Sequence, residues 1–269
     1  MKAQLPDIEG EAVQYELPIG DELLPMNALL GQSITLQYKN EIHCIECGRK
    51  TKKSFAQGYC YPCFSSLAKC DLCIMRPETC HYAAGTCRQP EWGESNCMIP
   101  HYVYLANSSG LKVGITRETQ IPTRWIDQGA SQALPILKVN NRLHSGLVEH
   151  IMKGFVSDRT DWRKMLKNEV KLTDLAANRD ELLEQAAELL DGLPDEVVPL
   201  ELEPLLDEQI VKINYPVIEY PTKVKSLNLE KTPEFTATLM GIKGQYLIFD
   251  IGVINMRKYA GYFLQISCN

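Results

Sequence analysis

The chain has 269 residues, 45% of them hydrophobic and 23% charged, with a formal net charge of -6. That length accommodates two or three compact units, and the composition excludes a disordered, fibrous or low-complexity protein. The start, MKAQLPDIEGEAVQ, is polar and acidic where a secretory signal is basic and then apolar, and no run reaches the roughly 20 apolar residues of a membrane helix. A cytoplasmic protein with no membrane partner is expected.

The chain reads as α+β and multidomain. Residues 1–43 form an N-terminal β segment, in which SITLQYKNEIH (33–43) alternates apolar and polar side chains as a strand leading to Cys44. Nine of the ten cysteines then crowd into 44–100. In a reducing compartment this points to metal ligation rather than disulfides. Cys44, Cys47, Cys60 and Cys63 make two equal C-x2-C knuckles, the donor set of a closed tetrahedral structural zinc site. Lys50, Lys52 and Lys53 offset the thiolate charge, and Gly48 suits the turn after the first knuckle. Cys70, Cys73, Cys80, Cys87 and Cys97, with His81 and His101 nearby, exceed what one further zinc needs, so the second ligand set stays open. An iron–sulfur cluster is the alternative there. Zn²⁺, two ions per chain, is the expected structural cofactor.

Residues 101–171 carry 11 basic and 6 acidic side chains, whereas 172–208 carry 1 and 12. A basic segment beside a metal module suits a nucleic-acid partner, because phosphate neutralisation supplies most nonspecific affinity. HYVYLANSSGLKVGIT reads as a β-hairpin, PTRWIDQ opens a helix at Pro122 and Thr123, and SGLVEHIMKGF is a second helix. TDWRKMLK has Thr160 or Asp161 as its cap. The acidic helix TDLAANRDELLEQAAELLDGLP starts at Thr173 or Asp174, presents Leu175, Leu182, Leu183 and Leu190, and stops at Gly192 and Pro194. With the Pro-rich linker DEVVPLELEPLL it fills 172–208. A small β domain over 209–269 is read from VKINYPVIEY, FTATLMGIKGQYLIFDIGVINM and YAGYFLQI, with GIKG as a hairpin turn. No internal repeat is evident.

Tyr102 to Tyr104 (YVY), Lys112 to Gly114 (KVG), Arg124 and Glu149 follow one another in an order that resembles the GIY-YIG nuclease superfamily. Together with the preceding cysteines, the chain is also similar to an uncharacterised bacterial family that joins zinc-binding cysteines to a GIY-YIG-like domain. The resemblance implies a GIY-YIG-like fold, a small antiparallel sheet with helices, over 101–171. It also implies a metal-dependent nuclease or nuclease-like nucleic-acid-binding protein. Tyr104 would deprotonate or orient water, Arg124 would stabilise the phosphorus charge, and Glu149 would hold Mg²⁺ or Mn²⁺. Lys112 stands where the family usually has tyrosine, and Gln128 stands near the place of a frequent histidine. Lys112 is therefore a phosphate ligand or a base. Tyr102, Lys112, Arg117, Arg124 and Trp125 would contact nucleic acid, Trp125 by base stacking. Two other readings stand beside this one: a noncatalytic adaptor for nucleic acid or protein on a degenerate platform, and a zinc-stabilised protein-interaction factor.

Overall fold

The structure, a computed structural model, describes residues 1–8, 10–157, 159–193 and 202–268. Strands β1 (Lys2–Gln4), β2 (Gln14–Ile19) and β3 (Glu22–Pro25) form a small antiparallel sheet. A 3-10 turn leads into β4 (Ser33–His43), which buries alternate residues Ile34, Leu36 and Tyr38 as the sequence predicts. After β5 (Lys50–Thr51) the cysteine segment contains only the short helices α1 (Tyr61–Ser66) and α2 (Pro90–Asn96), joined by 3-10 turns. A proline in the first turn of each helix costs no backbone hydrogen bond there.

The predicted hairpin is β6 (His101–Asn107) and β7 (Leu111–Arg117), followed by α3 (Thr123–Asp127). Next come β8 (Gln132–Val139), α4 (Arg142–Met152), α5 (Trp162–Leu166) and α6 (Leu175–Asp191), then the short strands β9 (Leu202–Pro204) and β10 (Val211–Lys212). Their antiparallel sheet runs β10-β8-β6-β7, with β9 also on β8. Sequence reading missed β8 because QALPILKV does not alternate: seven of its eight residues are buried, so neither face needs to be polar. Its Pro135 falls where the β6–β8 register shifts, a place where a missing ladder donor is tolerated.

Helix α6 is capped by Asp174, whose carboxylate accepts from the N–H groups of Ala176 and Ala177, and it ends at Gly192. Leu175, Leu182, Ala186 and Leu190 pack onto the sheet, while Leu183 only borders that core. Arg179 donates to the carbonyls of Leu205 and Leu206. The acidic stretch is therefore a layer of the sheet unit on either side of 194–201. That span, with Pro194 and most of the predicted linker, lies outside the described residues.

The remaining strands are β11 (Glu234–Lys243), β12 (Tyr246–Phe249), β13 (Gly252–Asn255) and β14 (Tyr262–Cys268). The hairpin turn sits two residues later than GIKG suggests, because Lys243 pairs with Tyr246 and Gly244 takes the left-handed φ of 61°. Within VKINYPVIEY only Val211 and Lys212 form a strand. The sheet order is β13-β12-β11-β4-β14, so residues 33–43 and the C-terminal strands, assigned to separate units from sequence, share one sheet. Sequence distance hid this, since β4 has no strand partner nearby in the chain except two residues of β5.

A repeat also emerges that side-chain identity concealed. Hairpin β2–β3, a 3-10 turn and β4 recur as hairpin β12–β13, a 3-10 turn and β14. Leu17 matches Leu247, Met26 matches Met256, and Gly31 matches Gly261 with nearly equal φ of 78° and 81°.

Two cores follow from the alternation along β6. Val103 and Leu105 face α4 and α6, whereas Tyr104 and Ala106 face α3 and a larger core built from both ends of the chain. Helix α3, with Trp125 and Ile126 buried, thus sits where the middle sheet meets the terminal sheet.

Candidate metal centre and tyrosine cluster

Cys44 follows directly on β4. Its amide donates to the carbonyl of Arg49, its carbonyl accepts from Gly48, and Gly48 has a φ of 70°. That tight return aims Cys44 and Cys47 the same way. Gly58 lies against Ile45 so closely that an added Cβ would meet it at 2.7 Å, and the chain then enters α1 with Cys60 as its N-terminal cap and Cys63 within it. The four sulfurs lie within 4.8 Å of one another, with Cys47 and Cys60 3.8 Å apart. Zinc–sulfur bonds of about 2.3 Å at tetrahedral angles require sulfurs about 3.8 Å apart. The donor set therefore fits a tetrahedral cation such as zinc. Without one, the four thiols cannot ionise together. Burial works to raise Cys44, but the N–H groups of Cys47, Cys60 and Glu46 bring it down to about 6. Cys63 is pushed up to about 12 by burial and by the neighbouring sulfurs.

Two of the three expected lysines are otherwise engaged. Lys50 pairs with Glu41 at 2.9 Å and Lys53 lies over the Phe55 ring. The cation facing the thiols is Arg49, whose pKa is raised by its hydrogen bond to Cys47.

The second cysteine group divides. Cys70 lies toward Lys69, Arg88, Glu46 and Cys44, whereas Cys73 feels Asp71, Cys80 and Cys97. The C-x2-C spacing of Cys70 and Cys73, which by itself suggests a further knuckle, thus places the two thiols in different surroundings. Cys73, Cys80, Cys87 and Cys97 line a cavity of about 20 Å³. His101 is not in its wall. Its Nδ1 bonds the carbonyl of Ile99, and burial pushes its pKa down to about 4.

In the middle sheet, register places Tyr104 opposite Gly114. An added Cβ on Gly114 would stand 2.7 Å from the Tyr104 hydroxyl, so the glycine makes room for the ring. Tyr104 is fully buried and packs edge-on against Trp125 at 6.1 Å. Its hydroxyl accepts from Gln128 at 2.8 Å. Burial raises its pKa, while the charge and hydrogen bond of Arg124 and the bond from Gln128 oppose that shift and Glu149 adds to it. Arg124 of α3 thus reaches the Tyr104 hydroxyl of β6, and Glu149 of α4 acts on it only through its charge. Glu149 also pairs with Lys153 at 3.1 Å.

The other expected contacts are dispersed. Lys112 is buried on the Tyr104 face, two residues from Gly114. Tyr102 donates to Glu118 at 3.4 Å, and Arg117 donates to Asn96. Trp125 is core, 2% exposed, and leaves no face for a base. Gln128 is the contact that sequence reading undervalued: one helical turn beyond Arg124, it was noted only as a replacement for histidine. A groove of about 800 Å³ lies elsewhere, between the terminal strands, and reaches Asp127 but not Tyr104, Arg124 or Glu149. No described helix is long and apolar enough to cross a membrane.

A family model described as a protein of unknown function, DUF2797, matches residues 31–264. The chain belongs to the DUF2797 family. The matched span holds every cysteine from Cys44 to Cys97 and the whole tyrosine cluster, so these features lie inside the unit that defines DUF2797. No curated protein and no solved structure matches the chain.

Proposed function

We propose that this DUF2797 protein is a zinc-stabilised, nuclease-like nucleic-acid-binding protein of the GIY-YIG type, working in the reducing cytoplasm. Its architecture would be a zinc ribbon or knuckle unit, a GIY-YIG-like sheet and a closing β unit. One zinc would occupy the Cys44, Cys47, Cys60 and Cys63 cluster, and a second would belong to the following cysteine group. The observation that supports the site most is that Arg124 reaches the Tyr104 hydroxyl and Glu149 acts on it through its charge, from three separate elements. Arg124, exposed on α3, would take the phosphate oxygens and oppose the charge that develops on them. Tyr104, oriented by Gln128, would position the attacking water. Glu149 would hold Mg²⁺ or Mn²⁺, exchanging its contact with Lys153 for the ion, and a single carboxylate suits an ion that keeps waters and leans on phosphate. Bound there, the ion would supply charge neutralisation.

The noncatalytic adaptor is favoured by a different observation: Tyr104 exposes no surface, and burial disfavours its phenolate. Incubating the zinc-loaded protein with labelled single-stranded, duplex and branched DNA and RNA, with and without Mg²⁺ or Mn²⁺, separates the two. Nuclease action predicts cleavage that Glu149→Ala abolishes and Arg124→Ala lowers strongly, with binding retained. Lys112→Tyr restores the family's usual residue, and a gain of cleavage would identify an attenuated nuclease. Salt-sensitive binding with no cleavage in any variant supports the adaptor. Absence of binding at low salt leaves the protein-interaction reading.

A further inference from the structure

The second cysteine group has more thiols than one zinc uses, and the structure ranks them. Cys73 sits in a 3-10 turn, Cys80 ends the next one, Cys87 precedes α2 and Cys97 ends α2. All four face one cavity of about 20 Å³, the room of a single water or ion. Ala68, Asp71, Ile74, His81, Tyr82 and Trp92 complete its walls, and Gly93 lies so close to Tyr82 and Cys87 that an added Cβ would meet them at 3.0 and 3.4 Å.

A rival set is Asp71, Cys73 and His81, whose ligand atoms lie within 4.8 Å of one another. Asp71 is already paired with Arg88 Nε at 2.6 Å, while His81 Nδ1 bonds Thr86 at 2.8 Å and leaves Nε2, 3.6 Å from Asp71, as its ligand atom. That set offers three donors, one short of a closed structural site, and only one of them is a thiol.

An independent observation comes from Arg142, at the start of α4. Its Nη2 donates to the carbonyl of Ile74 at 2.7 Å and its amide to the carbonyl of Cys97 at 2.8 Å. Its buried Nε finds no hydrogen-bond partner among the described residues. Burial works against its charge and lowers its pKa, and the groups that favour the charge are Cys97 and Cys73. A guanidinium with its Nε buried and unbonded is served by a compensating anion, and neutral thiols do not supply one. A dication bound by four thiolates carries a net charge of about -2, which does.

We propose that Cys73, Cys80, Cys87 and Cys97 form a four-thiolate zinc site that draws together around the cavity, and that Arg142 neutralises it and ties it to α4. The proposal rests on the two-zinc reading above and adds its ligands. Asp71 and His81, which line the same cavity, stand outside the four-thiolate set with Arg88, and Cys70 takes no part. Because Gly146 of α4 meets Pro77 and Glu78 with no space for a Cβ, the site also fixes the cysteine unit against the helix that carries Glu149.

Zinc counting on the purified full chain, together with the absorption spectrum of the Co²⁺-exchanged protein, tests this. Two zinc ions are expected per chain. Cys80→Ser and Cys87→Ser should each lower the count to one, while His81→Ala and Cys70→Ser keep two. Wild-type protein loaded with two Co²⁺ should show tetrathiolate spectra at both sites, a readout that needs no substitution to fold. Arg142→Gln should weaken retention of the second ion by roughly tenfold or more against a chelator. One zinc in the wild type overturns the two-zinc reading itself. Two zincs with one lost in His81→Ala, or a nitrogen-ligand Co²⁺ spectrum, overturns only the ligand set.

Discussion

The first cysteine group gathers its thiols with two knuckles of one design, whereas the thiols around the second cavity come one each from four unlike turns. In the first, sulfur positions follow from local backbone: the Gly48 turn and the N-terminus of α1 bring all four within 4.8 Å. In the second, positions depend on how the segment is seated against α4 through Arg142 and Gly146. If an ion binds, its capture and local folding would be one event at the first group, whereas at the second, docking on α4 would be a third partner.

The largest expected effect breaks the first group. Cys60→Ser should remove one zinc and the hydrogen-exchange protection of residues 44–66, drawing on a binding free energy of about 10 kcal/mol or more. The second cavity should keep its ligands in the same variant, as seen by residual zinc content.

Acid should act on the second group's seat first. His101 feels the charge of Arg142, which holds the second group, and burial lowers its pKa from 6.5 to about 4. The unfolded chain therefore takes up the proton first as pH falls. The stability this histidine confers is complete above pH 6.5 and is lost as the pH drops toward 4, about 3 kcal/mol in all. His101→Gln should flatten that part of a stability-versus-pH curve measured by denaturant titration.

Gly146→Ala sharpens the contrast further, because its Cβ would stand 2.5 Å from the backbone nitrogen of Glu78. A cost of about 1–3 kcal/mol is expected. Zinc should be lost faster from the second group with the first unchanged, measured by chelator competition. The smallest effect is Tyr104→Phe, which touches neither group. It strands one donor of Gln128 for about 1 kcal/mol in thermal unfolding and leaves zinc content at the wild-type value.

What the sequence disclosed was chiefly local. Equal knuckles, the alternation in 33–43, the hairpin around Ser108–Gly110 and the Asp174 cap each rest on neighbours a few residues apart, and each is where it was expected. The order Tyr104, Gly114, Arg124, Glu149 was legible as a pattern, whereas the bond from Gln128 to the Tyr104 hydroxyl was not. Exposure was not legible: Trp125 is as acceptable to a base as to a core until α3 is seen between two sheets. Pairings across the chain left no local trace either, which is why β8, the β4 sheet and the choice among the later cysteines needed coordinates.

The place of β4 has a consequence for a chain made from its N-terminus. Thr35 bonds Thr236, 201 positions ahead, and the other edge of β4 waits for β14. During synthesis, Ile34 and Leu36 emerge with only the N-terminal part of their core, Val13 to Leu29, already made, and with the edges that β11 and β14 will take open to other chains. The thiols just after β4 need only about twenty more residues to capture an ion. Zinc supply during translation, more than zinc content afterwards, should therefore set the yield of soluble protein. Release of chains stopped before β11 should yield aggregates even when the first cysteine group is fully loaded.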